Sequence, residues 1–350
     1  MFSRVIVILL TPLLLFCMIL SSPTGTAAAP APKTQEANPS PRPAVQVGLL
    51  SMSLGGSAYV LSFALAEIVN KSHPWIRVSA TETRGPVPNL VTMTNEPERR
   101  KNTFFFTQES SNSVARQGLP PFKEPYTGAR AIAAFSETTV LLVTLDKSIK
   151  TKANVDGKRV MVLTKGNPSA LLHTMLLNDI WGLKVKLSNG TFDAIKDALQ
   201  DGLADVGSLA VNSTPGVGYV PIPSLNELLT TKDVYFVNVP AADVEALVKK
   251  SRIAVYPSSV PSRALGDKQI TALAGYGQTN GWWADEQMGE EIVYEIAKAI
   301  WENADKFKQF HSDGRLITQK TMARVGVPEE LFHPGALKFY KEKGIKPGLN

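Results

Sequence analysis

The chain has almost no cysteine and little histidine, and both shortages exclude classes of site. Its 350 residues include one cysteine, Cys17, and four histidines. No two histidines are spaced as metal ligands usually are, so we expect no metal site. Because Cys17 lies inside an N-terminal apolar segment that we expect to be removed, the mature protein should form no disulfide. The four histidines are His73, His173, His311 and His333.

Motifs for catalysis and for cofactors are also missing. The sequence has no Gly-x-Ser-x-Gly elbow, no Walker loop and no complete dinucleotide fingerprint. His173 lies in an apolar helical segment and is predicted to be a core residue rather than a base. Asp201 and Asp205 flank a predicted helix end and do not form an acid–base pair. We therefore predict a protein that is not an enzyme and binds no cofactor.

The charge excess is small and diffuse, which argues against binding of nucleic acid. Lys and Arg number 37 and Asp and Glu 31, a net charge of +6, or +5 without Arg4. A nucleic-acid interface needs a stripe of basic residues, and none is present. Charged residues make up 19% and apolar residues 44% of the chain, as in an ordinary globular protein. A chain of this length is expected to form two domains.

The N-terminus has the pattern of a secretory signal peptide. Arg4 precedes an apolar run over residues 5–20, and small residues follow up to residue 29. Cleavage after Ala27 or Ala28 is expected, and the protein is predicted to be periplasmic. An uncleaved anchor is the alternative, although the run is short for a membrane span. Lipidation at Cys17 is disfavoured by the bulky Phe16. Residues 30–44, rich in proline, are predicted to be an extended linker.

From residue 45 onward, strand-like and helix-like segments alternate. This alternation predicts an α/β fold of mainly parallel sheets with helices on both faces. Residues 129–135 and 138–144 are predicted as two separate strands, and the last hundred residues as mostly helical. In such folds ligands bind at the carboxyl ends of the strands. Trp282 and Trp283 are explained equally well as the wall of a pocket or as packing at a domain hinge.

Two glycine-containing loops each connect a predicted strand to a predicted amphipathic helix. The first loop contains Gly55 and Gly56 and leads into a helix from Ser57. The second contains Gly166 and leads into a helix from Ser169. A helix start offers free backbone N–H groups and the positive end of the helix dipole, both of which favour an anion. Two such loops predict a small acid held between two lobes.

Several stretches in the same order resemble the TAXI-type solute receptors of TRAP transporters. Each stretch is weakly specific alone, whereas their order and spacing together are strongly specific. The most specific is His-Pro-Gly-Ala-Leu-Lys-Phe-Tyr-Lys-Glu-Lys-Gly at residues 333–344. The resemblance covers residues 47–344. The other matching stretches are residues 55–59, 64–71, 83–90, 106–108, 130–133, 156–160 and 201–205.

The resemblance implies a two-lobed fold of the type II periplasmic binding proteins. Residues 45–139 and 256–350 would form lobe one, residues 140–255 lobe two, and the hinge would cross near residues 135–144 and 253–259. A small organic acid, such as a dicarboxylate, an acidic amino acid or a 2-oxo acid, would bind between the lobes and pass to a TRAP-type membrane permease. We expect a monomer. The implied ligand contacts are Gly56, Ser57, Tyr59, Thr83, Asn89, Gln108, Gly166, Asn167 and Ser169.

Two departures from the family pattern bear on the ligand. The family has Gly-Ser where this chain has Gly85-Pro86, and Gly-Ser-Gly-Thr where it has Gly-Asn-Pro-Ser at residues 166–169. Proline removes both a hydroxyl and an N–H donor. Arg84 and Lys165 stand beside these positions and are candidate carboxylate ligands, with exposure to solvent as the alternative for both.

The sequence leaves two other functions open. In the first, the loaded protein docks on a signalling protein as a sensory adaptor instead of on a permease. In the second, the chain is an enzyme, because two-lobed α/β folds also host transferases. The second is disfavoured by the lack of a credible nucleophile, base or metal cluster.

Overall fold

The computed structural model describes residues 42–54, 56–324 and 326–348. The predicted signal peptide, its cleavage site, Cys17 and most of the predicted linker therefore lie outside the described residues. Residues from Pro43 onward fold as one unit. In the part of the chain that is described, no helix is both long enough and apolar enough to cross a membrane.

Eleven strands and ten α-helices alternate along the described residues. The strands are β1 (Val45–Leu50), β2 (Ile76–Thr81), β3 (Thr103–Gln108), β4 (Ala129–Thr144), β5 (Arg159–Leu163), β6 (Lys186–Gly190), β7 (Val206–Thr214), β8 (Gly218–Pro221), β9 (Tyr235–Val237), β10 (Tyr256–Val260) and β11 (Leu273–Asp285). The α-helices are α1 (Ser57–Ser72), α2 (Pro86–Asn95), α3 (Glu109–Arg116), α4 (Lys152–Val155), α5 (Pro168–Met175), α6 (Phe192–Gln200), α7 (Pro223–Thr231), α8 (Ala241–Ser251), α9 (Glu290–Glu302) and α10 (Pro334–Glu342).

All eleven strands belong to one sheet, with the main order β2-β1-β3-β11-β4-β7-β5-β6. Strands β2, β1 and β3 run parallel and are called the first wing, and the parallel strands β7, β5 and β6 are called the second wing. Between them, β11 and β4 are antiparallel to their neighbours and are called the crossing strands. The predicted α/β class is confirmed. The two predicted sheets are joined through the crossing strands.

The crossing strands differ from the sequence prediction. The two strands predicted over residues 129–135 and 138–144 are the single 16-residue β4. The 13-residue β11 falls in the region predicted to be mostly helical. Nearly every residue of both strands is buried, so neither shows the alternation of polar and apolar residues that marks a half-exposed strand. Residues 319–323, within a segment predicted to be helical, form turns.

Several helix starts follow directly from local chemistry. The predicted helix from Ser57 is α1, which ends at Ser72. Thr191 caps α6, since its Oγ1 accepts a hydrogen bond of 3.2 Å from the backbone N of Ala194. Pro240 immediately precedes α8, a position that suits proline. A local cap and a proline thus mark the starts of α6 and α8.

The two tryptophans of β11 belong to the core. Trp282 and Trp283 are both fully buried. The indole N–H of Trp282 donates to Ser62 Oγ at 3.1 Å, and its ring lies 4.9 Å from Phe135 and 5.8 Å from Phe307, centroid to centroid. Of the two explanations that the sequence left open, packing between the crossing strands and their neighbours is the one observed.

Candidate functional site

Five helices begin where a parallel strand ends. Helices α1, α2 and α3 follow β1, β2 and β3 of the first wing, and α5 and α6 follow β5 and β6 of the second wing. The positive ends of these helix dipoles therefore lie at the carboxyl ends of strands, where ligands of open α/β sheets bind. Among the described residues, no side chain caps α1, α2 or α3, whereas α5 and α6 are capped.

At the start of α1, the predicted contacts Gly56 and Ser57 are adjacent and partly exposed. Gly56 is the N-cap, with an extended backbone at φ −91° and ψ 144°. The ring of Tyr59 lies 4.5 Å from that of Phe63, and both rings line a surface groove that also includes Phe310. Gly56 and Ser57 therefore face the end of β1, while the Tyr59 ring belongs to the outer side of α1.

The residues predicted around the start of α2 divide into bonded and free side chains. Thr83 Oγ1 donates to the carbonyl of Ser51 at 2.8 Å and accepts from the backbone N of Gly85 at 3.1 Å. The side chain of Arg84 is exposed and makes no ion pair or hydrogen bond with any residue that the structure describes. Pro86 begins α2 without an N–H group, so this helix start offers fewer donors than that of α1.

Asn89 connects two strands of the first wing. Its Nδ2 donates to the carbonyl oxygens of Ser51 at 2.7 Å and Phe106 at 2.9 Å. These carbonyls lie at or just beyond the carboxyl ends of β1 and β3, and Asn89 is fully buried. Its amide N–H groups hold the two strand ends together. Asn89 Oδ1 has no hydrogen-bond partner among the described residues.

The second glycine loop presents one buried residue and two exposed ones. Lys165 and Gly166 are exposed, and Gly166 has a positive φ of 90°. Asn167 is the N-cap of α5, since its Oδ1 accepts from the backbone N of Ser169 at 2.8 Å. Ser169 is 1% exposed, and its Oγ has no partner among the residues described.

The most extensive polar cluster lies on one face of the crossing strands. Gln108, at the end of β3, donates through Nε2 to Asn280 Oδ1 at 2.9 Å. Asn280 Nδ2 donates in turn to Ser136 Oγ at 2.9 Å and to Thr138 Oγ1 at 2.7 Å. Thr138 Oγ1 donates to Asn212 Oδ1 on β7 at 2.7 Å. We call Gln108, Ser136, Thr138, Asn212, Gln278 and Asn280 the polar face.

The polar face runs from the first wing to the second. Its chain of hydrogen bonds starts on β3, crosses β11 and β4, and ends on β7, where Asn212 Nδ2 donates to Asp313 Oδ2 at 2.7 Å. All its members except Gln108 are buried. Hydrogen bonds linked in series inside a protein strengthen one another, and a buried polar group that loses its partner is costly. The two wings are therefore coupled through polar contacts at the strands that join them.

Helices α3 and α5 contact the strands of the polar face. Ser110, in the first turn of α3, donates to Gln278 Oε1. On the second-wing side, the hydroxyl of Tyr276 lies 3.1 Å from Nδ1 of His173 on α5. His173 is fully buried, as predicted, and burial lowers its pKa to about 4. Helices α3 and α5 pack against each other.

The opposite side of β4 carries a partly buried carboxylate. Burial raises the pKa of Glu137, and this is partly offset by the nearby Tyr256 hydroxyl and by the charge of Arg324. A small cavity beside Glu137 is lined by Thr214, Thr321 and Arg324. Among the described residues, no group of three or more His, Cys, Asp or Glu side chains is arranged to hold a metal ion.

The structure brings together only some of the predicted contacts. Gln108 is part of the polar face, and Ser169 lies beside Tyr276. Ser136, Thr138, Asn212, Gln278 and Asn280 were missed by sequence reasoning. Their signal was present, because the segments Phe-Ser-Glu-Thr-Thr and Gly-Gln-Thr-Asn-Gly place consecutive polar residues between apolar runs, at residues 135–139 and 277–281.

A model of the NMT1-like family matches residues 49–344, which is most of the chain. The chain belongs to this family. One solved structure similar to this NMT1-like protein is MatC from Rhodopseudomonas palustris with bound malate. Their sequence identity is 16%, the match covers 87% of this chain and 97% of MatC, and the TM-score is 0.50.

Two other solved structures are similar at lower TM-scores. An R. palustris protein with adipate is 15% identical over 77% of this chain and 88% of its own, with a TM-score of 0.49. The periplasmic aliphatic sulphonate binding protein SsuA from Escherichia coli is 14% identical over 78% of each chain, with a TM-score of 0.45. The likeness to MatC shows a shared fold. Assignment to the TAXI group stays a prediction.

Proposed function

We propose that the chain is a periplasmic solute receptor that captures a small organic acid between its two wings. The observation that carries this proposal is the polar face, a chain of buried amides and hydroxyls on the strands that join the wings. A purely structural core would be expected to place apolar side chains there, since buried polar groups bring no transfer gain. The uncapped start of α1, at the carboxyl end of β1, suits the carboxylate of the ligand.

The mechanism we propose is closure about the crossing strands. Residues 45–139 and 256–350 form lobe one in this account, and residues 140–255 form lobe two. A ligand that contacts both lobes stabilises the closed form over the open one, because its binding energy differs between the two states. Thr138 and Asn212 are paired directly across β4 and β7, so the bond between their side chains lies at the proposed hinge and would persist through this motion.

The contacts that we propose come from both loops. Gly56 and Ser57 offer backbone N–H groups, and Gln108 offers a side-chain donor. Ser169 faces them from α5. The hydroxyl proton of Thr83 is already donated to the Ser51 carbonyl, which supports an indirect role for Thr83. Asn89 and Asn167 use their amides to shape the two helix starts, and this supports an indirect role for both.

The acid class is supported by three independent lines. Helix starts favour anions, the sequence resembles TAXI receptors, and MatC, which shares the fold, has malate bound. We infer delivery to a TRAP-type ion-driven permease from the resemblance alone. The predicted signal peptide supports a periplasmic location, and we expect a monomer that binds no cofactor.

Arg84 and Lys165 are proposed as auxiliary carboxylate ligands. Both side chains are exposed next to helix starts, so neither needs to break an existing bond to reach a ligand. If Arg84 binds a carboxylate, the Arg84→Ala substitution should weaken binding by about 1.5–3 kcal/mol, as for a hydrogen bond to a charged group. Isothermal titration calorimetry measures this change, and an unchanged affinity removes Arg84 from the site.

The proposed function is tested by thermal unfolding of the purified, exported protein. The panel contains mono- and dicarboxylates, acidic amino acids and neutral sugars as controls. An acid present at about a thousand times its Kd should add about 4 kcal/mol to the free energy of unfolding. Stabilisation by one class of acid and not by sugars supports the proposal. A panel in which no acid stabilises the protein contradicts it.

A further inference from the structure

A second cluster of polar side chains is buried where α5 meets β11, next to the polar face. His173 is fully buried there. Its Nδ1 lies 3.0 Å from the carbonyl oxygen of Ser169, 3.1 Å from Tyr276 Oη and 3.3 Å from Ser208 Oγ. Its Nε2 has no hydrogen-bond partner among the residues that the structure describes. One side of the imidazole is therefore fixed in place while the other is unpaired.

Ser169 places a second atom without a hydrogen-bond partner in the same buried cluster. It precedes His173 by four residues on α5, so the two side chains share one face of the helix. Ser169 Oγ is buried and also lacks a partner within the described part of the chain. A buried polar group without a partner typically destabilises a protein. Two of them on one helix face call for an explanation, and a bound ligand provides one.

The hydrogen bonds bear on which kind of ligand group fits. The carbonyl oxygen of Ser169 can only accept, and on this contact we assign the ring proton of His173 to Nδ1. In this tautomer Nε2 is an acceptor. Burial lowers the pKa of His173 to about 4, so the ring stays neutral near pH 7. A hydroxyl such as Ser169 Oγ can donate or accept. The cluster is therefore suited to a ligand group that donates a hydrogen bond.

The cluster lies on the same face of β11 as the polar face. Tyr276, Gln278 and Asn280 alternate along β11 and so point to the same face of the sheet. Tyr276 contacts His173, Gln278 accepts from Ser110 of α3, and Asn280 belongs to the bonded chain of the polar face. Alternate residues of a strand are about 7 Å apart, so a small acid can reach from one group to the next.

We propose that Ser169 Oγ and His173 Nε2 form a second recognition point, which selects acids carrying a hydroxyl or amino group over the same acids without one. This proposal rests on the proposed receptor function. It assigns the carboxylate of the ligand to the helix starts of the first wing and the hydrogen-bond donor of the ligand to α5.

Calorimetry with matched pairs of acids tests the proposal. The pairs are malate with succinate, lactate with propionate, and aspartate with succinate. The wild-type protein should bind at least one substituted acid about tenfold more tightly than its unsubstituted partner, because an unpaired polar group in a site strongly disfavours a ligand that cannot satisfy it. A preference for malate assigns the donor to a hydroxyl group, and a preference for aspartate assigns it to an amino group.

Two variants test the assignment to these atoms. His173→Phe keeps a ring beside Tyr276 but removes the acceptor, and Ser169→Ala removes only the hydroxyl. Each should bring the ratio of affinities within a pair towards one. The matched control is His333→Asn, since His333 is also buried but caps α10 by accepting from the backbone N of Gly335. Asparagine can keep that cap, and the ratio should not change.

The outcomes separate the two proposals. Equal binding within every pair by the wild-type protein, with at least one acid bound, overturns this inference and leaves the receptor function standing. An unchanged ratio in either folded variant also overturns it. If no acid binds at all, the proposed function fails and this inference fails with it. Should His173→Phe not unfold cooperatively, Ser169→Ala alone decides.

Discussion

The two glycine loops read alike in the sequence but are built differently. In the first, Gly56 is an extended N-cap, and no side chain closes the start of α1. In the second, Gly166 has a positive φ, and Asn167 caps α5 by accepting from the N–H of Ser169. The first loop leaves backbone donors for an anion. The second loop uses one of its own donors and buries a serine and a histidine behind it.

This difference suggests that the two wings bind different groups of the ligand. A carboxylate is best accommodated at α1, where backbone N–H groups meet the helix dipole. A hydrogen-bond donor of the ligand is best accommodated at α5, where His173 and Ser169 each present an unpaired atom. Similar glycine patterns therefore do not imply similar chemistry, because the residue that caps the helix decides which backbone donors remain free.

The largest expected difference in stability between the wings is that between alanine substitutions of Asn89 and of Asn167. Asn89→Ala removes the donor to the carbonyls of Ser51 and Phe106 in a fully buried place. We expect a loss of about 2–4 kcal/mol, since each unsatisfied buried group costs about 1–3 kcal/mol. Asn167→Ala removes a partly exposed N-cap and should cost about 1 kcal/mol.

Urea unfolding of both variants measures this contrast. The midpoint should fall further for Asn89→Ala than for Asn167→Ala, with an unchanged slope for both. If Asn167→Ala were the more destabilising of the two, the second loop would hold the fold together more strongly than the first, and the comparison drawn above would be reversed.

The next effect concerns two buried histidines, one on α5 and one at the start of α10. Burial lowers the pKa of both His173 and His333 to about 4 from 6.5. The unfolded chain then binds more protons than the folded one between these values, so stability is full above pH 6.5 and falls as the pH drops towards 4. Each histidine should contribute about 2 kcal/mol to the loss between about pH 7 and pH 5.

The pH dependence of urea unfolding tests this linkage. The variants His173→Phe and His333→Asn should each remove roughly half of the loss that these two residues cause. A wild-type free energy of unfolding that stays constant from pH 7 to pH 5 would show that neither histidine is held neutral by the fold.

The smallest expected difference in stability is that between alanine substitutions of Gly166 and of Gly56. Gly166→Ala places a side chain at φ +90° in open space, so only backbone strain opposes it, at about 1–2 kcal/mol. Gly56→Ala keeps an ordinary extended backbone, and its Cβ would lie 2.5 Å from the flexible end of Met52. Met52 can move aside, and we expect a change below about 0.5 kcal/mol.

Thermal or urea unfolding of the two alanine variants is sufficient to compare them. Equal losses would mean that Gly56 is as constrained as Gly166. In that case the first loop would be a strained turn rather than an open helix start, and the proposed place for the carboxylate would lose its basis.

Much of the fold was predictable because its signals are local. The start of α1 at Ser57, the Thr191 cap of α6 and Pro240 before α8 each depend on residues within one turn. Strand β11 was not predictable in this way. Its 13 residues are buried through contacts with β10 and with β3 and β4, which come from distant parts of the sequence, and it shows neither a strand period nor a helix period.

The candidate site was predicted only at its rim. Glycine loops mark helix starts, which is why the sequence pointed to Gly56, Ser57 and Ser169. The interior depends on register, since Asn280 lies opposite Ser136, and Thr138 lies opposite both Gln278 and Asn212. Register between strands so far apart in the chain follows from packing and not from any single segment. The runs of polar residues were visible in the sequence, but the sequence did not show that they meet on one face of the sheet.

We propose that a small acid binds over the polar face, between the start of α1 and the first turn of α5. The most direct measurement is a crystal structure of the protein with the acid that stabilises it most. We expect density for a carboxylate at the backbone of Gly56 and Ser57, and for the rest of the ligand within hydrogen-bond distance of Asn280 or Ser169. Density only in the outer groove beside Tyr59 and Phe310, or no ligand density at saturating acid, would contradict the account.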